Sequence, residues 1–240
     1  MLCYSKPKLL MVDDDDLFLS ITKKYLEMNL GKQTAITTFK NDSEILEYIN
    51  CNDSDYCSPL DIYKDYIKQH LSLNCALNEL EKHRPILIID QNLCSKLTGT
   101  EICKIARASN PNINVLLLTG EIDYKKATDL HNDHIIDYFF RKDETDLIKK
   151  ITKAVSTIIV GRKEDFAFDG ELGANEGVDM IFEADYRSNL SCLLDNINYS
   201  SYMITNQNGD IAVKDPHEKT YLYKQSDNRG IFKANGTSNI

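Results

Sequence analysis

The sequence predicts an α/β protein built on a (βα)5 doubly wound parallel sheet, and three observations carry the prediction. First, four short runs, Leu9-Leu10-Met11-Val12, Ile86-Leu87-Ile88-Ile89, Asn114-Val115-Leu116-Leu117-Leu118 and residues 135–140, are apolar almost throughout and too short for helices. That is the pattern of parallel strands buried on both faces. Second, segments of helical spacing alternate with these runs. Third, each run delivers a polar group at or just past its carboxyl end: Asp13 and Asp14, Asp90, Thr119 and Lys142. In a doubly wound sheet those ends converge on one crevice, so function is expected there.

The elements follow in order. After the first strand, Asp16 is placed to cap a helix over residues 17–29, which Gly31 ends. Residues 33–39 alternate like a strand, and Asn41-Asp42-Ser43-Glu44 opens a second helix, with carboxylates favourable at its amino end. Further helices are expected at 100–109, 123–132 and 144–159.

The chemistry of the strand ends can be read group by group. A hard divalent cation such as Mg2+ takes oxygen ligands, which Asp13, Asp14 and Asp90 supply. Asp90 is also the natural nucleophile, because a carboxylate can form an acyl phosphate once a metal neutralises the incoming phosphoryl oxygens. Lys142 offers a point charge to one phosphoryl oxygen, and the Thr119 hydroxyl offers a hydrogen bond to another. Phosphoryl transfer depends mainly on positioning and electrostatics, so little else is required.

With Lys8-Leu-Leu-Met-Val-Asp-Asp-Asp-Asp16, Pro85-Ile-Leu-Ile-Ile-Asp90, Leu116-Leu-Leu-Thr-Gly-Glu121 and Asp137-Tyr-Phe-Phe-Arg-Lys142, roughly the first two thirds of the chain resembles the receiver (CheY-like) domain of two-component response regulators. The resemblance implies the flavodoxin-like receiver fold and a phosphorelay function. It makes Asp90 the phosphoacceptor, with Asp13, Asp14 and the backbone carbonyl of Asn92 as further Mg2+ ligands. Thr119 and Phe139 match the switch pair, in which the hydroxyl moves toward the phosphoryl group and the ring follows inward. The implied donor is a histidine kinase or histidine phosphotransfer protein. The implied output is a protein effector or a homodimer, meeting the face of the fourth helix, fifth strand and fifth helix of the receiver. The implied protein is a phosphoacceptor with at most self-catalysed phosphotransfer and dephosphorylation, not an enzyme.

Three departures stand beside the resemblance. Asp143 occupies the position after the lysine where the family usually has a cis-joined proline. The loop Gln91-Asn-Leu-Cys-Ser-Lys-Leu-Thr-Gly99 has Cys94 where a proline is common, and one extra residue before its glycine. Between the second helix and the third strand lies an insertion, residues 51–84, that an ordinary receiver lacks. Its first part is loop-like, and its second spaces Ile62, Tyr66, Ile67, Leu71, Leu73, Leu77 and Leu80 mostly along one face of an amphipathic helix. That helix is expected to pack on the receiver as an elaborated connection, with a docking surface or dimer contact as the alternative.

The domains expected are therefore a receiver over 1–160, an acidic glycine-bearing linker over 161–179, and a small α+β output or interaction module over 180–240. In the last, residues 180–194 read as a helix and 201–213 as a hairpin turning at Asn208-Gly209, with short strands at 221–223 and 231–232. Helix and hairpin resemble the opening of a PAS sensory domain, of which 180–240 is too short to be the whole. Past Gly161 there are eight Lys or Arg against thirteen Asp or Glu, and the net charge is −9, which argues against a DNA reader.

The seven cysteines show no C-x-x-C pair or zinc spacing and read as reduced thiols, and His131 and His134 read as solvated. No apolar stretch is long enough to span a bilayer and no signal-peptide pattern opens the chain, so a cytoplasmic protein without a membrane segment is expected. Two function classes follow. One is a switch driven by phosphorylation of Asp90. The other is a constitutive scaffold that keeps the fold but is not switched.

Overall fold

A computed structural model describes residues 3–31, 34–51, 58–120, 124–165, 183–226 and 232–237, which divide into two compact units. The first comprises Pro7–Asp55 and Lys82–Gly161. Its strands are β2 (Lys8–Val12), β3 (Ala35–Phe39), β4 (Ile86–Asp90), β5 (Asn114–Thr119) and β6 (Tyr138–Arg141). All pair in parallel in the order β3-β2-β4-β5-β6. Strand order reverses at β2, which lies between β3 and β4, and this puts Asp13 and Asp90 at the switch point where such sheets bind ligands.

Both faces of the sheet are covered, which explains the continuous apolar runs. Leu9, Met11, Ile86, Ile88, Leu116 and Leu118 pack under α1 (Asp16–Leu30) and α7 (Leu147–Asp165). Leu10, Val12, Leu87, Ile89, Val115 and Leu117 pack under α2 (Asp42–Cys51), α5 (Gly99–Ser109) and α6 (Tyr124–Asn132). Most boundaries fall within a few residues of those expected. The cap of α1 is Asp15, not Asp16: its carboxylate accepts the backbone N–H of Leu17 at 2.9 Å and of Phe18 at 3.1 Å. Asp16 is already helical and pairs with Lys40. Every peptide bond among the described residues is trans, Lys142–Asp143 included.

The second unit comprises Met1–Lys6, Tyr56–Glu81 and Arg162–Ile240. Its antiparallel sheet runs β1 (Cys3–Ser5), β7 (Ser201–Ile204), β8 (Ile211–Lys214), β9 (Thr220–Gln225) and β10 (Phe232–Thr237), in that order. Gly209, at φ 78°, sits in the β7–β8 turn. The helix α8 (Ala184–Asn196) and the inserted segment supply the apolar cover.

Here the structure corrects the sequence reading. The insertion is two helices, α3 (Pro59–Ile67) and α4 (Leu73–Lys82). Lys68 caps the first, and Gln69 takes a left-handed φ of 62° between them. The Ser72 hydroxyl accepts the Cys75 N–H at 3.3 Å and starts the second. Their apolar residues, Ile62, Tyr63, Ala76, Leu77 and Leu80, share one buried cluster with Tyr4, Tyr186, Met203, Ile211 and Val213 of the second unit. The insertion is thus part of the second unit and not an elaboration of the parallel sheet. It was needed there because one antiparallel sheet and one helix leave an apolar face uncovered. The expected module over 180–240 is correspondingly incomplete without β1, α3 and α4.

Polar contacts reinforce this packing. The Lys214 ammonium, almost fully buried, donates to Glu81 at 3.0 Å and Asn78 at 2.8 Å. Glu81 also accepts the Ser201 hydroxyl at 3.0 Å. Most of the linker over 161–179 lies outside the described residues, apart from the end of α7.

Candidate phosphoacceptor and cation site

β2, β4 and β6 carry three of the expected groups to one point. The Lys142 ammonium lies 2.8 Å from Asp13 and 3.0 Å from Asp90, and the carboxylates of Asp13, Asp14 and Asp90 lie within 4.8 Å of one another. Asp13 and Asp90 are buried and Asp14 is exposed on the rim. The chain geometry that aims them is local. The Asp13 N–H donates to the Phe39 carbonyl at 3.2 Å and its carboxylate accepts the Asp15 N–H at 3.0 Å, fixing the turn into α1. The Lys142 N–H donates to the Thr119 carbonyl at 2.7 Å, tying the lysine to the end of β5. Thr119 itself is buried.

Electrostatics follow from this packing. Burial pushes the Asp90 carboxyl above its ordinary range, against the opposing pull of Lys142 and of the nearby Asn92 backbone. Burial works against the Lys142 charge, but hydrogen bonds and charge from Asp13 and Asp90 outweigh it, and its pKa is raised. Asp14 is held low, chiefly by a hydrogen bond from the Cys94 thiol. That bond in turn raises Cys94.

The donor set fits a hard cation. Three carboxylates face one ammonium, and the buried Asp90 Oδ1 has no hydrogen-bond partner. A buried carboxylate oxygen left in that state calls for a positive ligand.

Of the switch pair, Phe139 is half-buried against the α2–α5–α6 side of the sheet. Tyr138 and Phe140 point to the other side, stacked with ring centroids 6.4 Å apart. Asp143, in the proline position, turns its carboxylate to Arg141, with Nε to Oδ1 at 2.8 Å. His131 Nδ1 lies 3.2 Å from the Ile136 carbonyl and joins no metal cluster among the described residues.

Three contributors escaped sequence reasoning. The Lys142 ammonium sits 5.1 Å above the Phe18 ring. Asp42, buried, accepts the Leu97 N–H at 3.2 Å and so anchors the loop after Asp90. Gly99 closes that loop, donating to the Gln91 carbonyl at 3.0 Å. A side chain there would meet the Asp90 carbonyl carbon at 2.8 Å and Gln91 Cα at 2.9 Å. The glycine could be placed from its distance to Asp90; the Asp42 contact had no sequence signal.

No protein-family model matches the chain and no curated protein matches it. Among solved structures it resembles the Legionella pneumophila response regulator LqsR, with 17% identity over 92% of this chain and 66% of that one, at a TM-score of 0.55. A response regulator receiver domain protein from Clostridium thermocellum matches 65% of this chain and 97% of its own length, at 21% identity and a TM-score of 0.44. A CheY-like receiver domain protein from Methanospirillum hungatei matches 67% and 99%, at 16% identity and a TM-score of 0.45. At such identities the likeness to LqsR establishes the fold: the chain carries the receiver fold of response regulators, and it spans just under two thirds of the LqsR chain. Among the described residues no helix is long and apolar enough to cross a membrane.

Proposed function

We propose that this chain is the response regulator of a two-component phosphorelay, phosphorylated on Asp90 and switched by that event. The observation that carries the reading is the Lys142 ammonium at 2.8 and 3.0 Å from two buried carboxylates, beside an Asp90 oxygen without a partner. A structural ion pair has no need of a third carboxylate or an unsatisfied oxygen.

In this reading a histidine kinase or histidine phosphotransfer protein donates the phosphoryl group. One Asp90 oxygen attacks phosphorus, the phosphorus–nitrogen bond of the donor breaks, and an acyl phosphate forms on Asp90. Asp13, Asp14, Asp90 and the Asn92 carbonyl hold Mg2+, which would neutralise charge on the phosphoryl oxygens. Lys142, released from Asp90, pairs with the new phosphoryl group, and the Thr119 hydroxyl donates to it. Phe139 then follows Thr119 and alters the surface of α6, β6 and α7, where a protein effector or a second copy would bind. DNA is not the expected target, given the acidic balance of the chain, and the chain acts as a phosphoacceptor in the cytoplasm, not as an enzyme.

The test is to incubate the full chain with Mg2+ and acetyl phosphate and read its intact mass, with Asp90→Asn as control. One added phosphoryl group, absent from the variant, is expected. A phosphorylated variant would refute the acceptor assignment. Hydrogen exchange with beryllofluoride and Mg2+ then separates switch from scaffold. Altered protection over α6, β6 and α7 supports the switch; no change anywhere favours the constitutive scaffold.

A further inference from the structure

The first turn of α1 closes a circuit of contacts around the acidic cluster. The Asp13 carboxylate accepts the Asp15 N–H at 3.0 Å, and the Asp15 carboxylate accepts the Phe18 N–H at 3.1 Å. The Phe18 ring stands 5.1 Å from the Lys142 ammonium, which returns to Asp13 at 2.8 Å. We infer that Phe18 is a positioning residue for phosphoryl transfer, its ring holding the Lys142 ammonium where a phosphoryl group on Asp90 must meet it. That role rests on the reading of Asp90 as phosphoacceptor.

Three observations support it together. The ammonium lies over the ring, within the distance at which a cation is drawn to the negative face of an aromatic quadrupole. Phe18 is itself fixed: Asp15 caps its backbone, and its half-buried side chain packs on the apolar cluster of the α1–α7 side, while neighbouring Leu17 is exposed. Lys142 is the partner that needs holding. Its side chain is 26% exposed on a flexible stem, whereas Asp13 and Asp90 are buried.

The chemistry explains why a ring suits this place. An Asp90 oxygen attacks phosphorus, the bond from phosphorus to the donor breaks, and the donor group leaves with its electron pair. Lys142 must then leave Asp90 for the new phosphoryl oxygens, so Asp13 and the ring are left to steady it. A carboxylate in the ring's position would compete with the phosphoryl group for the ammonium protons. A π face attracts the charge and takes no N–H away from the phosphoryl group.

The experiment replaces Phe18 in the full chain by mono-, di- and pentafluorophenylalanine, which drain the ring face of negative charge at nearly constant volume. Phosphate uptake from acetyl phosphate at saturating Mg2+ is followed by intact mass. Expected is a rate that falls stepwise along the series, to about two- to fivefold below wild type for the pentafluoro ring. The same series is then made in Lys142→Met, and amide exchange in α1 and β2 is compared. Fluorination should raise the opening constant about two- to fivefold more when the lysine is present. A rate indifferent to fluorination, or an exchange effect equal in Lys142→Met, overturns this inference and leaves the acceptor assignment standing. Failure of wild type to take up phosphate on Asp90 overturns both.

Discussion

Replacing Lys142 by Met removes the cation paired with Asp13 and Asp90, and the structure sets both the size and the pH dependence of the result. At 2.8 and 3.0 Å, with an effective dielectric constant near 20, each contact is worth about 6 kcal/mol of gross attraction. The net loss is smaller. The lysine no longer has to be desolvated, and a stranded carboxylate can take up a proton. That escape sets a ceiling: protonating a carboxyl of ordinary pKa 3.8 at pH 7 costs about 4 kcal/mol. Asp90 is already raised by burial, so its cost is lower. The expected deficit is about 2–4 kcal/mol at pH 7, near the range for breaking a buried pair. At pH 5 the same proton costs under about 2 kcal/mol, so the deficit shrinks as pH falls. Amide exchange in β2 and β4, compared between variant and wild type at both pH values, measures it within the receiver unit. If the proposed Mg2+ site is right, Mg2+ should return part of the lost protection by favouring the folded site. A deficit under about 0.5 kcal/mol at pH 7, the size of an ordinary surface change, would refute the reasoning; so would one identical at pH 5.

Asp90→Asn should act in the opposite direction. A folded pKa raised above the unfolded one contributes stability below the unfolded value and loses it as pH rises through the folded value, so at pH 7 the ionised Asp90 is a liability. The variant should be more stable than wild type at neutral pH, a gain that fades toward pH 4 in the same exchange measurement. Lys214→Met should cost about 3–5 kcal/mol in the second unit by leaving buried Glu81 without its cation, and adding Glu81→Leu should recover much of it, as read by exchange in β7 and β8. Gly99→Ala should displace the Asp90 backbone and weaken Mg2+ binding in calorimetry, whereas Gly161→Ala, with nothing within 4 Å, should leave it unchanged. Asp42→Ala should free the Leu97 N–H and raise exchange through the loop after Asp90.

The parallel sheet was readable because burial on both faces writes itself as unbroken apolar runs, and the site because its groups stand at the ends of those runs. Asp13, Asp14 and Asp90 meet Lys142 from three strands with no help from sequence proximity. What escaped depends on partners distant in the chain. Cys3–Ser5 has three residues and no period of its own, and is a strand only because Ser201–Ile204 pairs with it. The spacing of Ile62 to Leu80 announced a buried face without saying against what, and ran on through Gln69, where the backbone breaks the helix in two. Lys214 and Glu81 are charges, which sequence assigns to solvent until they are found buried together.

The interlaced chain path has a consequence for signalling. An appended output domain is joined to its receiver by one linker, but here the chain crosses between units at Lys6–Pro7, between α2 and α3, at Glu81–Lys82, and after Gly161. Only the last crossing, near the end of α7, leads into the expected linker. The first and the third lead directly from the second unit to the chemistry, the first through β2 to Asp13. Glu81, which holds Lys214, is at the end of α4; β4 begins at Ile86 and ends at Asp90 itself. An excised receiver ending at Gly161 would retain β1, α3 and α4 while losing β7, β8 and the rest of their common core. It should expose Ile62, Leu77 and Leu80, bind a hydrophobic dye and aggregate, while the full chain does neither. If that fragment is instead monomeric and well ordered in α3 and α4, the second unit is not the structure those helices need, and the route from Asp90 to the output reverts to the linker after α7.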